Sequence, residues 1–127
     1  KPLPAEGVAA ALARLRFTAV PLADTPRNTV QGCCPIKLVE SLAAGTPVVA
    51  SDLAVCREWV SDGAEGTLVT PGDVRGWALA LRRMFHDPAP GGRASAARRK
   101  AETTFSWRAV HEQLHNMFQY VAAGGEA

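Results

Sequence analysis

The apolar positions along the chain follow two patterns, short continuous runs and longer stretches with apolar residues three or four positions apart. Continuous runs rich in β-branched residues favour buried strands, whereas the wider spacing favours helices with one apolar face. The predicted strands are Phe17–Leu22, Pro47–Ser51 and Gly66–Thr70. The predicted helices are Ala5–Arg14, Pro35 to about Ala44, Leu53–Val60, Asp73–Phe85, Arg93–Thr103 and Ser106–Val121.

Prolines and short polar residues mark where several of these elements begin. Pro35 suits the first position of a helix because it has no amide hydrogen to leave unpaired there. Asp73 and Ser106 are good N-caps, and the polar segment Ala23–Cys34 is predicted to be a loop. In the helix after Asp73, the predicted buried stripe is Val74, Trp77, Ala78, Leu81 and Phe85. In the last helix it is Trp107, Val110, Leu114, Met117 and Val121.

Strands that alternate with helices predict an α/β fold, because each right-handed crossover places the next strand parallel to the one before it. We therefore expect a Rossmann-like parallel sheet with flanking helices. The 127 residues are enough for a single domain. Every stretch of about 18 residues contains a charge, a proline or a glycine, so we expect no membrane-spanning helix.

The formal net charge of +2 is too small to indicate a nucleic-acid partner. A local basic cluster, Arg93 with Arg98–Lys100, is interpreted as a solvated helix face. The three cysteines lack a C-x-x-C spacing, which argues against zinc and favours reduced thiols in the cytoplasm. Cys33, Cys34 and Cys56 are interpreted as loop or buried thiols rather than nucleophiles.

The segment from Gly32 to Glu40 is the first candidate for chemistry. Ligands of parallel sheets bind beyond the carboxyl ends of the strands, and unpaired amides at a helix N-terminus attract anions. Lys37 opposes the helix dipole in the first turn, and a bound phosphate would compensate for this. Glu40, three residues further on, could accept hydrogen bonds from two neighbouring ribose hydroxyls or simply pair with Lys37. The spacing alone favours neither.

Several segments, in order along the chain, carry a family resemblance. They are Pro35–Asp52, Arg57–Glu58, Asp62–Gly63, Gly66–Val69, Pro71–Asp73 and Phe105–Trp107. This set resembles the C-terminal nucleotide-sugar-binding domain of GT-B-fold glycosyltransferases, of the retaining group exemplified by glycosyltransferase family 4. The resemblance covers roughly residues 18–120 and implies transfer of a sugar from UDP or GDP to an acceptor hydroxyl.

By this resemblance, Glu40 is the second glutamate of the family motif and holds the nucleotide ribose. The amides around Ile36, Lys37 and Leu38 meet the diphosphate, and the loop Gly32–Pro35, with Cys33 and Cys34, faces the donor sugar. The sequence departs from the family where the first glutamate would fall, because Gly32 stands there. The resemblance implies no metal and no cofactor, and it does not identify a catalytic residue.

The resemblance also implies that residues 1–127 are part of a C-terminal domain and that an N-terminal domain is missing. We therefore expect the isolated chain to be inactive. The alternative is a non-catalytic sub-domain that forms a homodimer through an exposed sheet edge. The expected location is the cytoplasm, including the periphery of the inner membrane face.

A second motif competes with this interpretation. His111-Glu112-Gln113-Leu114-His115 matches the H-E-x-x-H zinc motif of metallopeptidases. A zinc site also needs a third protein ligand, and downstream of the motif only Glu126 is available. We therefore interpret the motif as a chance match on a surface helix.

Overall fold

The structure is a computed structural model that describes residues 4–125. It contains one sheet of three parallel strands in the order β1-β2-β3, with β2 in the centre. The strands are β1 (Thr18–Val20), β2 (Val48–Ser51) and β3 (Gly66–Val69). Thr18 aligns with Val48 and Val48 with Gly66. This confirms the predicted parallel α/β fold, with β1 shorter than predicted at both ends.

Seven α-helices surround the described strands, and a short π-helical turn, Ala101–Phe105, joins the last two. The helices are α1 (Ala5–Ala13), α2 (Pro26–Thr29), α3 (Ile36–Ala43), α4 (Ala54–Arg57), α5 (Val74–Phe85), α6 (Pro90–Lys100) and α7 (Trp107–Ala122). Five of these helices, α1, α3, α5, α6 and α7, are at least eight residues long, and the other two are single turns of four residues.

The alternation of side chains along β2 divides the core into two layers. Val48 and Ala50 belong to the larger cluster, together with Leu38 and Leu42 of α3 and Ala97 of α6. In contrast, Val49 packs in a separate cluster with Val69, Ala80 and Met84, the last two from α5. Helices therefore cover both faces of the central strand, as expected for a buried parallel sheet.

Close packing between β2 and β3 explains the glycine at the start of β3. A Cβ atom at Gly66 would collide with the backbone carbonyl oxygen of Val48, so no other residue fits without a shift of the strands.

The boundaries of several predicted elements need correction. The helix predicted over Leu53–Val60 covers only Ala54–Arg57. The predicted loop Ala23–Cys34 contains α2, a single turn that begins at Pro26 and packs against α4. Pro35 lies at the N-cap of α3 rather than inside it. The helix predicted from Arg93 begins earlier, at Pro90, because proline fits the first helical turn.

The predicted buried stripe of α5 is wrong in part. Val74 and Phe85 are 81% and 61% exposed, and Ala78 is also exposed. Ala80 and Met84 are buried instead. The helix face that meets β2 and β3 is therefore rotated slightly from the predicted face, so that it includes these two residues and not Val74, Ala78 or Phe85. Trp77 and Leu81 of the predicted stripe do pack against this core.

The predicted buried stripe of α7 is also wrong. Trp107 is 89% exposed, and Leu114, Met117 and Val121 are between 47% and 59% exposed; Val110 alone of the stripe is half-buried. The helix touches the rest of the described chain near its first turns, where Ala109 is buried. Its apolar stripe is uncovered because no described element packs along it.

The basic cluster is not simply a solvated face. Arg93 donates to the carbonyl oxygens of Gly63 and Gly66, at 2.9 and 3.2 Å, and pairs with Asp87 at 3.1 Å. The Arg98 guanidinium donates to the carbonyl oxygen of Ala43 at the end of α3, at 2.6 Å. These side chains therefore tie α6 to the sheet and to α3.

Lys100 extends the same set of contacts. Its Nζ lies 3.7 Å from the carboxylate of buried Glu65 and donates to Ser61 Oγ at 3.0 Å. Arg99 remains exposed, without a side-chain hydrogen bond or ion pair to a described residue. Within residues 4–125, no helix is both long and apolar enough to cross a membrane.

Candidate functional site

The candidate site lies at the carboxyl edge of the sheet, where the chain leaves β1. Ser51, the last residue of β2, fixes this exit. Its Oγ accepts a hydrogen bond from the Leu22 amide at 2.8 Å and donates to the Leu22 carbonyl oxygen at 2.7 Å. The Ser51 hydroxyl therefore links the chain just beyond β1 to the end of β2, and it fixes the start of the segment that leads to α3.

The loop Gly32–Pro35 runs from this exit to the N-terminus of α3. Gly32 is exposed and adopts φ +75°, a left-handed conformation that a glutamate would rarely adopt. The backbone at position 32, where the family resemblance would put its first glutamate, therefore favours the glycine found there. Cys33 is half-buried, and its thiol donates to Asn28 Oδ1 at 3.4 Å, whereas Cys34 is exposed and Pro35 is buried.

The first amides of α3 do not all point to free space. The amide of Ile36 donates to the Cys34 carbonyl oxygen at 2.9 Å, and that of Leu38 donates to the Pro35 carbonyl oxygen at 2.8 Å. The Lys37 amide donates to no oxygen of the described residues. Leu38 is fully buried, so its side chain anchors this helix end in the core.

Lys37 and Glu40 lie side by side on α3. The Lys37 ammonium is 3.3 Å from Glu40 Oε2, and their side chains are 80% and 38% exposed. Glu40 also lines a cavity of about 370 Å³ between α1 and α3, together with Leu12 and Arg98. Glu40 can therefore pair with Lys37 through Oε2 and still bind a ligand through Oε1, because Oε1 accepts no hydrogen bond from a described residue.

Sequence reasoning missed an ion pair that follows β2 at the same edge. Arg57 on α4 donates to Asp52 Oδ1 at 2.6 Å. Hydrogen bonding to Arg57 lowers the pKa of Asp52, and the same contact raises the pKa of Arg57. Asp52 and Arg57 both belong to the segments that carry the family resemblance. The sequence does not predict their pairing, because Asp52 follows the end of β2 and Arg57 lies on a helix, so a spacing of five residues does not put them on one face.

Cys56 is confirmed as a buried thiol. It is fully buried in the larger core cluster, against which Cys33 also packs. Burial, followed by the nearby Cys33 and Asp52, raises the pKa of Cys56 to about 11. A thiol of this kind is a poor nucleophile because little thiolate is present at neutral pH.

The histidines of the H-E-x-x-H motif stack on the surface of α7, with ring centroids 6.4 Å apart. Among residues 4–125, no group of three histidine, cysteine or acidic side chains is arranged to hold a metal ion. Glu126, the candidate third ligand, lies outside the described residues.

A parallel sheet with helices on both faces and a helix N-terminus at its carboxyl edge is the arrangement of Rossmann-like domains. Within this class, the family described as "Glycosyl transferases group 1" matches residues 3–87. The chain belongs to this family of glycosyltransferases.

Curated relatives agree with this assignment. Phosphatidyl-myo-inositol mannosyltransferase of Mycobacterium leprae is 40% identical over 90 residues, which are 71% of this chain and 24% of that protein. Glycogen synthase of Mycobacterium tuberculosis is 41% identical over 73 residues, 57% of this chain and 18% of that protein. The chain thus spans about a quarter or less of the length of these relatives.

Solved structures show the same fold. Sucrose-phosphate synthase of Thermosynechococcus elongatus is 29% identical with a TM-score of 0.58, over 71% of this chain and 23% of that one. Anabaena HepE, solved in complex with UDP-glucose, is 23% identical with a TM-score of 0.68, over 88% and 29% of the two chains. These neighbours confirm that the chain has the fold of part of a GT-B glycosyltransferase.

Proposed function

We propose that this chain supplies the donor half of the active site of a glycosyltransferase that moves a sugar from a nucleoside diphosphate to an acceptor hydroxyl. The observation that carries the proposal is the pairing of Lys37 and Glu40 at 3.3 Å on the first turns of α3. In this proposal Lys37 is the cation for the diphosphate and Glu40 the carboxylate for the ribose, on the helix that begins at the edge of the sheet where ligands of this fold class bind.

Each part of the helix end has a role in this proposal. The Lys37 amide and ammonium bind the diphosphate, aided by the positive end of the α3 dipole. The free oxygen of Glu40 accepts from the ribose hydroxyls. The amides of Ile36 and Leu38 join the diphosphate contacts by exchanging their present carbonyl partners for phosphate oxygens, and the loop Gly32–Pro35 lies against the sugar.

Transfer of the sugar depends on stabilisation of the departing nucleoside diphosphate rather than on a strong nucleophile of the protein. The acceptor oxygen bonds to the anomeric carbon while the bond from that carbon to the diphosphate breaks with its electron pair. The acceptor proton passes to the released diphosphate. The amides at the start of α3 and the Lys37 ammonium stabilise the developing negative charge. We propose retention of configuration and no metal or cofactor, as the family resemblance implies.

The structures solved with UDP or UDP-glucose belong to HepE, and its shared fold supports a UDP-type donor here. The test is binding of UDP and GDP to the chain, measured by calorimetry and by the shift in melting temperature. We expect Glu40→Gln to weaken binding at least tenfold, because hydrogen bonds to a charged acceptor are lost. Glu112→Gln, on the exposed surface of α7, is the matched control.

Equal nucleotide affinity in Glu40→Gln and wild type would contradict the role of Glu40. Failure of both UDP and GDP to bind wild type would contradict the donor site as a whole. We further propose that residues 1–127 have no transferase activity alone, since the resemblance assigns acceptor and catalytic groups to an N-terminal domain. Sugar transfer by the purified chain would overturn that statement.

The exposed face of α7 favours a partner that covers it. Leu114, Met117, Phe118 and Val121 are each between 47% and 64% exposed along one side of the helix. We propose that the N-terminal domain of a longer enzyme packs there. The alternative is a homodimer, which could also form through β1, since this strand pairs on one side only within residues 4–125.

Sedimentation separates these two arrangements. A mass near 13.4 kDa identifies a monomer, which is expected if another domain of a longer enzyme covers α7. Twice that mass identifies a homodimer and favours the self-associating sub-domain. Cytoplasmic location and contact with the inner membrane face remain predictions, and fractionation of cells that express the chain tests both.

A further inference from the structure

Two histidines on α7 have no part in the proposed donor site. His111 and His115 are four residues apart, so both lie on one side of the helix. Their rings are stacked, with centroids 6.4 Å apart and an angle of 21° between the planes. Both side chains are exposed, and neither makes a hydrogen bond or an ion pair with a residue in the range 4–125. The ring nitrogens of both histidines are therefore open to a ligand from solution.

The third histidine of the chain lies in a different setting. His86 follows the end of α5 and packs edge-on against Phe85, with ring centroids 5.3 Å apart. No other histidine lies within one helical turn of it in the sequence. A ligand that needs two imidazoles can therefore distinguish the pair on α7 from His86.

Two imidazoles on adjacent turns of a helix can act together on one metal ion. A neutral imidazole nitrogen is the commonest protein ligand of a metal. The histidine that binds first holds the ion close to the second, so the second bond forms within one molecule and at a high effective concentration. Because both side chains are exposed, their rings can rotate until one nitrogen of each reaches the same ion.

The two nitrogen donors distinguish between metal ions. Mg²⁺ and Ca²⁺ prefer oxygen ligands, which the pair does not supply. Tetrahedral zinc sites in proteins use at least three protein ligands, and the described residues place no third ligand beside the pair. Ni²⁺ and Cu²⁺ accept nitrogen and oxygen ligands in a square or tetragonal arrangement. Two imidazoles together with water therefore fit these two ions.

We propose that His111 and His115 bind one Ni²⁺ or Cu²⁺ ion, with water as the remaining ligands, and that the ion holds this part of α7 helical. Residues 111–122 are all exposed, so tertiary packing supports this part of the helix little. In an extended chain the two histidines would be about 13 Å apart, too far to share an ion. The ion therefore binds the helical state and stabilises it. This site is independent of the proposed function.

The test is a titration of the purified chain with Ni²⁺ at about pH 7.5, where an ordinary imidazole is mostly neutral. Ni²⁺ is chosen because, unlike Cu²⁺, it does not oxidise an exposed thiol such as that of Cys34. It is paramagnetic and broadens NMR signals close to it. We expect the ring signals of His111 and His115 to broaden while those of His86 remain, with a Kd of about 0.1 mM or tighter.

Two reagents control this titration. EDTA should restore the signals of His111 and His115, because it removes the ion without changing the protein. Mg²⁺ at the same concentration should leave all histidine signals unchanged, because it prefers oxygen ligands. Broadening that EDTA does not reverse, or an equal effect of Mg²⁺, would contradict a nitrogen-ligated site.

Substitutions test the spacing of the two histidines. The double substitution His115→Asn with Asn116→His keeps the composition but moves the second imidazole about 100° round the helix. It should weaken Ni²⁺ binding at least tenfold, as should His115→Asn alone. His86→Asn is the matched control and should leave the affinity unchanged. Positions 115 and 116 are both exposed, so these variants should fold, which circular dichroism checks.

Amide hydrogen exchange tests the effect on the helix. Free Ni²⁺ at ten times its Kd should slow exchange in peptides from the second half of α7 by about tenfold, as measured by mass spectrometry. The double variant should show no such protection at the same concentration. Equal protection in the two proteins would mean that the ion does not act through the histidine pair.

Other outcomes overturn the proposal in distinct ways. Equal broadening of His86 would mean that Ni²⁺ binds single imidazoles nonspecifically, and unchanged affinity in the double variant would exclude joint binding by the pair. One ion per two chains, with a doubled mass in sedimentation, would make the ion a bridge between copies. Binding without slower exchange would leave a metal site but would refute its role in holding α7 helical.

Discussion

Arg93 should be one of the few surface arginines whose loss destabilises the fold. Its guanidinium connects α6 to the carbonyl oxygens of Gly63 and Gly66 and to the carboxylate of Asp87. The side chains of the Arg93–Asp87 pair are only 29% and 17% exposed. Water therefore replaces these hydrogen bonds incompletely when the guanidinium is removed. We choose Arg93→Met, which keeps the unbranched stem and a good helix former.

The size of the effect follows from the partners that remain. Asp87 still accepts from the Ala89 amide at 2.9 Å, and the Gly66 carbonyl oxygen still accepts from the Gly63 amide at 2.9 Å. The net loss is therefore close to one charged hydrogen bond rather than three. We expect a decrease of about 2 kcal/mol in the free energy of unfolding. For a chain of this size that corresponds to about 6–8 °C in Tm.

Thermal and urea unfolding, followed by circular dichroism, measure this change. The matched control is Arg99→Met, on the same helix, where the side chain is exposed and has no hydrogen bond to a described residue. We expect a change below about 0.5 kcal/mol there. Equal Tm values for the two variants would refute the reasoning, because the cluster would then be a solvated face after all.

Two further predictions test the core and a helix end. At pH 8, iodoacetamide should label exposed Cys34 and spare buried Cys56, and comparable labelling of the two thiols in mass spectrometry would contradict this placement. The pKa of Cys56 is raised to about 11, so its contribution to stability is complete below pH 9 and is lost as the pH rises towards 11. Asp73→Ala should lower stability by about 1 kcal/mol in urea unfolding, because the Gly76 amide loses its cap. Asp73→Asn should retain the cap, and equal losses in both variants would argue against capping.

Local chemistry made much of the backbone predictable. The runs at Val48–Ser51 and Gly66–Val69 are continuous and apolar, and both form strands within one residue of the predicted bounds. The side chains of Asp73 and Ser106 accept hydrogen bonds from the amides of Gly76 and Ala109, as expected of N-caps. Such features depend on a few neighbouring residues, so the sequence carries them directly.

The candidate site was predictable in part. A lysine and a glutamate three apart on a helix must lie on one face, so the proximity of Lys37 and Glu40 follows from helix geometry. The pairing of Asp52 with Arg57 and the cavity beside Glu40 do not follow in this way. The cavity joins segments that are far apart in the sequence, and no local pattern encodes their meeting.

The sequence by itself determined which segments become strands and helices, the parallel order they favour and the family to which the chain belongs. Only the tertiary structure decided which apolar faces are covered and what the basic side chains do. Periodicity indicates that one face of α7 is apolar, but whether Leu114 or Val121 is buried depends on what packs there. Likewise, Arg93 and Arg99 look alike in sequence, and only the approach of the sheet to α6 makes Arg93 structural.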